Sequence, residues 1–447
     1  MKATFSNAFR QMRRYPSAVA GSIIILFLVF MAIYAMVTIP YSEALRLWRG
    51  ADNVWMQSPR NARPAWFNYF YKEKQPLTIV QSTTDDPDAK IMVDLGGGVA
   101  TSDFIFEFDY QYDGFPSELA VFLTAEFTAA RPNVVLNWIT PDGREIPLGE
   151  LTVRANETYS VSQDSRVTRR LGGVQPERGL FADPANPDKP LKGTYQLVGE
   201  GLVFEEGSSI DATLVVYGKL HGLAGTDHRR RDITVALLWG TPVALAFGLV
   251  AAVGSSIMTM FLGATAVWFG GWVDWLIRRV NEIVMILPLL PILIMVGLFY
   301  SRSIWVMLSV VILLGIFGSG ILSYRSMFIQ VKQSGYIDAA RAYGAGSGRI
   351  IIRYMIPKII PTLIPGFVTQ VPSFVFLEAT LALLGLGDPV LPTWGKLLND
   401  AQTHGALFNG YFYWVLEPAF LLMLAGLGFA MLGFALDRIF NPRLREV

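Results

Sequence analysis

The run from Ala18 to Ile39, AVAGSIIILFLVFMAIYAMVTI, carries no charged residue over 22 positions. A bilayer's hydrocarbon core of about 30 Å takes roughly 20 apolar residues in a helix, so this run is long enough to cross it. Arg10, Arg13 and Arg14 precede it. The run is longer than a signal-peptide core and no small-residue cleavage site follows, so a retained span is expected. Working outward, four more runs of this kind occupy 283–300, 304–322, 363–386 and 411–436. The stretch 235–269 exceeds one span. It reads as a short interfacial helix over 233–239, a break near Gly240 and Pro242, and a span from Val243 to Phe269. The expected total is six.

Composition agrees. Of 447 residues, 52% are hydrophobic and 16% charged, with a mean hydropathy of +0.39. Soluble domains carry roughly 25% charge, so neither a disordered chain nor an ordinary cytosolic enzyme fits. The 37 basic and 36 acidic residues balance, which gives no electrostatic footprint for nucleic acid. With no cysteine, disulfides and thiolate chemistry are excluded. The three histidines, His221, His228 and His404, are not spaced as ligands, so no metal site is expected. No catalytic constellation is recognisable, and no repeat of 20–50 residues is visible.

Lys and Arg in short loops set orientation. With six spans, the inner side holds Lys2, Arg10, Arg13, Arg14, Arg278 and Arg279, then Arg325, Lys332, Arg341, Arg349, Arg353 and Lys358, and finally Arg438, Arg443 and Arg445. The short outer loops hold only Arg302 and Lys396. Both termini are therefore expected in the cytoplasm, and the long stretch 41–220 outside.

That stretch reads as β. Phe104, Phe106, Phe108 and Tyr110 alternate with Ile105, Glu107, Asp109 and Gln111, the period of a half-buried strand. Strands at 134–139 and 144–153 flank the turn Pro141-Asp142-Gly143. Further strands fall at 197–204 and 212–217, and 172–190 reads as a loop across a small sandwich. The aromatic segment 48–71 reads as a belt at the outer headgroups in preference to a ligand-stacking platform. The expected organisation is 1–40 (N-terminus and first span), 41–220 (extracytoplasmic β-rich domain) and 221–447 (a five-helix core with a cytoplasmic loop at 324–358).

Within that loop, Ser334-Gly335-Tyr336-Ile337-Asp338-Ala339-Ala340-Arg341-Ala342-Tyr343-Gly344 reads as a short exposed helix. Asp338 in its first turn suits the helix dipole. Ala339 and Ala340 keep one side small, so another surface can approach closely. Gly344 suits the left-handed position that ends a helix. Gly344, Gly346 and Gly348 separate it from a second helix containing Pro357. Such an element suits docking better than catalysis.

Here the sequence resembles the permease subunits of binding-protein-dependent ABC importers. Their pattern is Glu-Ala-Ala, three residues, Gly, nine residues, Ile-x-Leu-Pro. This chain has Ala339, Ala340, Gly344 and Pro357 at matching places, with Asp338 for Glu, Tyr354 for the first Ile and Ile356 for Leu. Further segments are similar to the dipeptide/oligopeptide/nickel branch, in the second of its two permease types. They are Gly225-Thr226-Asp227 with Arg231-Asp232, Phe269-Gly270-Gly271-Trp272-Val273-Asp274, Glu378-Ala379, Leu384-Gly385-Leu386-Gly387, Pro392-Thr393-Trp394-Gly395, Leu432-Gly433 and Asn441-Pro442-Arg443. The likeness covers about 220–443 and, more weakly, the first span. Departures include Arg230 where a glycine is expected, Glu417 for an apolar residue, and a β insert larger than most members carry.

The resemblance implies a six-helix permease fold in the inner membrane of a prokaryote. It implies a second, homologous permease, two ATPase subunits carrying ATP and Mg, and an external solute-binding protein. The helix containing Asp338, Ala339, Ala340, Arg341 and Gly344 would sit in an ATPase groove. No Gly-x-x-x-x-Gly-Lys-Ser/Thr loop occurs in the chain, so no ATP site or cofactor is expected on it.

Glu378 reads either as a pathway carboxylate meeting a peptide ammonium or as a structural hydrogen bond between helices. Glu282 reads as an ion pair with Arg278 or Arg279. Asp227 and Arg231 read as a brace for the outer helix or as solvated charges, and Arg229-Arg230-Arg231 mostly as a solvated loop. An ion-coupled secondary transporter and a membrane-anchored receptor are the competing classes. The first lacks internal repeats, and the second does not explain five further spans.

Overall fold

The structure is a computed structural model that describes residues 15–50 and 53–440. Lys2, Arg10, Arg13, Arg14, Asn441-Pro442-Arg443 and Arg445 lie outside the described residues. The chain divides into two compact units, Gly50–Thr234 and the remainder.

In the first unit, two antiparallel sheets form a sandwich. One holds β1 (Ile79–Ser82), β4 (Glu118–Glu126), β7 (Asn156–Ser160) and β11 (Ser209–Tyr217), in the order β1-β11-β4-β7. The other holds β2 (Lys90–Gly96), β3 (Val99–Tyr110), β5 (Asn133–Ile139), β6 (Glu145–Thr152) and β10 (Gly193–Val203), in the order β2-β3-β10-β5-β6. The alternation in β3 is realised: Phe104, Phe106, Phe108 and Tyr110 are buried while Ile105 is exposed. Trp138, Phe181 and Tyr195 pack around Phe108, with ring centroids 5.8, 6.5 and 5.8 Å away. Gly143 makes the β5–β6 turn at φ +80°. The stretch 172–190 is more than a loop. It holds β8 (Ala182–Asp183) paired with β9 (Asn186–Pro190), and it drives Leu180 and Phe181 fully into the core. In the aromatic segment of this unit, Tyr69 and Phe70 are exposed beside a short 3-10 turn at Ala65–Tyr69.

The second unit is helical: α1 (Pro16–Thr38), α2 (Tyr41–Arg49), α3 (Ile233–Phe269), α4 (Gly271–Ile286), α5 (Leu289–Phe299), α6 (Ile304–Gly315), α7 (Ser319–Lys332), α8 (Gly335–Ala342), α9 (Ser347–Leu386), α10 (Trp394–Thr403) and α11 (Tyr413–Phe440). Four of these, α1, α3, α9 and α11, are long and apolar enough to cross a membrane among the described residues. The number is six if α4–α5 and α6–α7 each count as one bent span. Gly21 on α1 lies against the backbone of α11, where a Cβ would come within 2.7 Å of the Gly428 carbonyl. Small residues permit that approach in a membrane.

One expectation is corrected, and two spans are bent. The break near Gly240 and Pro242 is absent, for α3 is continuous with Pro242 inside it. Next to the proline, the Leu237 carbonyl accepts from Trp394 Nε1 (2.9 Å) and Thr241 Oγ1 (3.1 Å). Gly240 provides the flat seat on which the Trp394 ring rests. The third and fourth spans are not straight: α4 and α5 meet at 79°, and α6 and α7 at 47°. Leu287, preceding Pro288, is extended at ψ 126°, as the proline ring demands.

Candidate functional site

Helix α8 ends in a complete Schellman motif. The Ala345 N–H bonds the Ala340 carbonyl (3.0 Å), the Gly344 N–H bonds the Arg341 carbonyl (2.9 Å), and Gly344 is left-handed at φ +76°. Ile337 and Ala340 are buried against Met260, Ala264 and Val267 of α3 and Phe328 and Val331 of α7. Ala339, Ala342, Tyr343 and Gly344 are exposed. Ala339 and Ala340 therefore do not share a small outer face. Successive helical positions are a quarter-turn or more apart, and the small outward surface is Ala339 with Ala342. Asp338 is exposed in the first turn, 3.9 Å from Arg341. The Arg341 guanidinium lies 4.5 Å over the Trp268 ring.

Lys332, at the end of α7, donates to the carbonyls of Val267 (2.6 Å) and Trp268 (3.1 Å), which close α3. Gly270 and Gly271, both left-handed, turn the chain into α4. Asp274 in the first turn of α4 then accepts two hydrogen bonds from Arg325 of α7, each 2.8 Å. A cavity of about 500 Å³ opens among Asp274, Arg325, Lys332, Asp338 and Arg341. Asp274 and Trp268 are parts of this site that sequence reasoning missed; the motif 269–274 marks the place but not the partners. Pro357 stands at the start of the regular part of α9, directly after a π-turn at Ile351–Met355. The wide turn makes room for a ring that clashes with the carbonyl four residues back.

Glu378 lies on the buried side of α9. Its Oε2 has no hydrogen-bond partner among the described residues, and the Thr393 side chain bonds the carboxyl. Arg302 and Asp388 line the small cavity beside it. The exposed side of the same helix carries Thr362, Thr369, Gln370, Ser373 and Thr380. At helical spacing these polar residues form one stripe along a membrane-crossing helix, another feature that sequence reasoning missed. Glu282 pairs with Arg279 at 2.9 Å on an exposed surface.

In the β unit, Gly225, Thr226, Asp227, Arg231 and Asp232 build one hydrogen-bonded loop. Asp227 accepts from Arg231 Nε (2.6 Å) and from the Arg229 and Arg231 amides (2.8 and 2.9 Å), and the pair is buried. Thr226 Oγ1 donates to the Pro59 carbonyl (2.7 Å), and the Ile233 N–H bonds the Gly225 carbonyl (3.0 Å). Asp232 caps the start of α3 through the Thr234 amide (2.8 Å). The solvated reading of Arg229-Arg230-Arg231 holds only for Arg229, which is exposed. Buried charges need partners, and the fold supplies them to Arg230 and Arg231.

Residues 237–446 match the family described as "Binding-protein-dependent transport system inner membrane component". Residues 4–64 match the "N-terminal TM domain of oligopeptide transport permease C". A dipeptide transport system permease, DppC of Alkalihalophilus pseudofirmus, is 32% identical over 225 residues, covering 50% of this chain and 72% of the relative. The chain belongs to this permease family. Other relatives of the permease are DppC of Bacillus subtilis, 27% identical over 50% of this chain and 69% of its own, and the glutathione transport system permease GsiD of Pectobacterium atrosepticum, 28% identical over 50% and 73%. The permease is thus a multi-pass inner-membrane subunit of an ABC importer and not an enzyme. It holds no cofactor of its own; ATP hydrolysis belongs to a separate ATPase, and the family works with a binding protein. The strands of the β unit, residues 79–217, lie between the two matched segments.

Proposed function

We propose that the permease forms half of a translocation pathway for short peptides, paired with a second homologous permease and driven by two ATPase subunits that grip α8. The observation that carries this is α8 itself. It is anchored on one side by Ile337 and Ala340, open on the other at Ala339, Ala342 and Tyr343, and closed sharply by Gly344. A helix held this way passes on a push without unfolding. ATP acts by stabilising one state of the bundle over the other. Peptides are the substrate class suggested by the relatives' names. The polar stripe Thr362, Thr369, Gln370, Ser373 and Thr380 suits a hydrated path for a polar solute better than lipid. Both termini lie in the cytoplasm on this reading. The functional partition is 1–40, 41–220 on the external side, and 221–447 with the coupling loop at 324–358.

The test is uptake of a labelled dipeptide set into proteoliposomes holding both permeases and the ATPases, with the binding protein added outside. ATP-dependent accumulation that vanishes when the ATPases are omitted supports the reading. Accumulation by the permease alone, or driven by an ion gradient, overturns it.

A further inference from the structure

The third and fourth membrane segments are both broken midway, α4 from α5 around Leu287 and Pro288, and α6 from α7 across Ile316–Gly318. The pieces on either side of these breaks belong to different cores. Helices α5 and α6 pack through Leu293, Met307, Leu308 and Val311 against Phe247 and Leu381. Helices α7 and α8 pack through Phe328, Val331, Ile337 and Ala340 against the end of α3 and against the start of α9 at Ile350, Ile351 and Met355. No residue of α4 belongs to that second core. The two buried side chains of α4, Asp274 and Asn281, are polar, and Val273, Ile277, Val280 and Val284 are half-buried on the same face. Asp274 takes both hydrogen bonds of the Arg325 fork, and Arg278 approaches the same carboxylate at 3.4 Å. Two turns on, Asn281, which is 1% exposed, accepts the Gly318 amide (2.6 Å) at the α6–α7 break itself. Thr259 of α3 donates to the Ile316 carbonyl (2.7 Å) at the same break.

We infer that α4, α7, α8 and the end of α3 move as one inner body, pivoting against α5 and α6 at the two breaks, and that the Asp274–Arg325 pair is the positioning contact that joins α4 to it. This rests on the reading of α8 as the ATPase-gripped helix. The physical reason is the character of the contacts. A bidentate, half-buried pair has one geometry and is weakened when one partner is removed. The breaks, by contrast, are where the helical hydrogen-bond ladder is already interrupted, so rotation there sacrifices few bonds. Motion imposed on α8 is then carried through Arg341 on Trp268, and Lys332 on the end of α3, to the α3–α4 corner. It leaves through Leu287 and Pro288 into the outer half of the span.

The chain has no cysteine, so paired spin labels can be placed at will. In the complete transporter in nanodiscs, labels at Trp272→Cys and Tyr343→Cys, both exposed positions on the inner body, report its rigidity. Labels at Tyr343→Cys and Phe299→Cys report pivoting against α5. Adding ATP with vanadate leaves the first distance unchanged and shifts the second. Asp274→Asn makes the first distance ATP-dependent and lowers uptake per ATP hydrolysed roughly tenfold. The exchange Asp274→Arg with Arg325→Asp restores both, which a variant that merely misfolds does not do. An ATP-dependent Trp272–Tyr343 distance in the otherwise native protein overturns the inference, as does an Asp274→Asn variant with an unaltered distance and normal coupling. A Tyr343 label whose mobility ignores the ATPase subunits removes instead the reading of α8 beneath it.

Discussion

Arg230 holds its guanidinium 4.2 Å over the ring of Tyr217 while its own backbone is left-handed, at φ +67°. An L-residue other than glycine pays about 1–2 kcal/mol for that conformation. The side chain offsets the cost by donating to the Ser58 carbonyl (2.8 Å) and by pairing with Glu118. The resemblance leads to the expectation of glycine here. In this chain an arginine bolts the outer loop to β4 and β11 of the inserted unit. Arg230→Ala should destabilise the β unit by about 2 kcal/mol, since the strain stays and the contacts go. Arg230→Gly should cost about 1 kcal/mol less, because only the contacts go. Hydrogen exchange of the β4 and β11 amides in the intact protein measures the difference.

Gly344 has the same backbone requirement without a compensating side chain. No atom lies within 4 Å of where its Cβ would be, so a substitution there acts through φ alone. Gly344→Val should loosen the end of α8 by about 2 kcal/mol and uncouple ATP hydrolysis from uptake while membrane insertion is unchanged. Uptake and phosphate release measured on the same vesicles would show it.

Asp164 sets an acid limit on the β unit. Burial works to raise its pKa, but hydrogen bonds from the Arg166 side chain and amide and from the Tyr159 hydroxyl outweigh this and hold it at about 2. An unfolded aspartate titrates near 3.9. The pKa is depressed on folding, so the stabilisation is fully present above the unfolded value and is lost as pH falls from about 4 through 2. Its size is at most about 2–3 kcal/mol, and less once solvent screening of the half-exposed Arg166 is counted. Asp164→Asn should lower the unfolding temperature at pH 6, and the gap to the native protein should close near pH 2.

Gly240 tests the continuity of α3. A Cβ at this position would fall 2.4 Å from Trp394 Cδ1. Gly240→Val should displace the indole from the Leu237 carbonyl and cost about 1–3 kcal/mol by overpacking. Thermal unfolding in detergent measures the loss, and a silent variant would show that the ring has another seat.

These positions also show what a sequence makes legible. The alternation at Phe104–Tyr110, the apolar runs and the glycine at 344 are local signals, and each appears in the fold where its period or backbone requirement places it. What escaped is non-local. Pro242 looked like a helix end, yet the turn before it packs on Trp394, more than 150 residues away, whose indole bonds the Leu237 carbonyl. The bend in the fourth span lies where Asn281 reaches Gly318, a contact between residues 37 positions apart. Asp274 and Arg325 are 51 positions apart and meet only once α4 and α7 are laid side by side. Ala340 and Ala339 look alike in sequence and differ only in what α3 and α7 put beneath the helix.

The central claim is that an ATPase subunit grips the outward side of α8. Ala339→Cys, exposed and small, is the probe: in native membranes a zero-length or short cross-linker should join it to an ATPase subunit, with a yield that changes on ATP binding. Cross-links confined to lipid or to the permease itself, with ATPase subunits present and active, would contradict it.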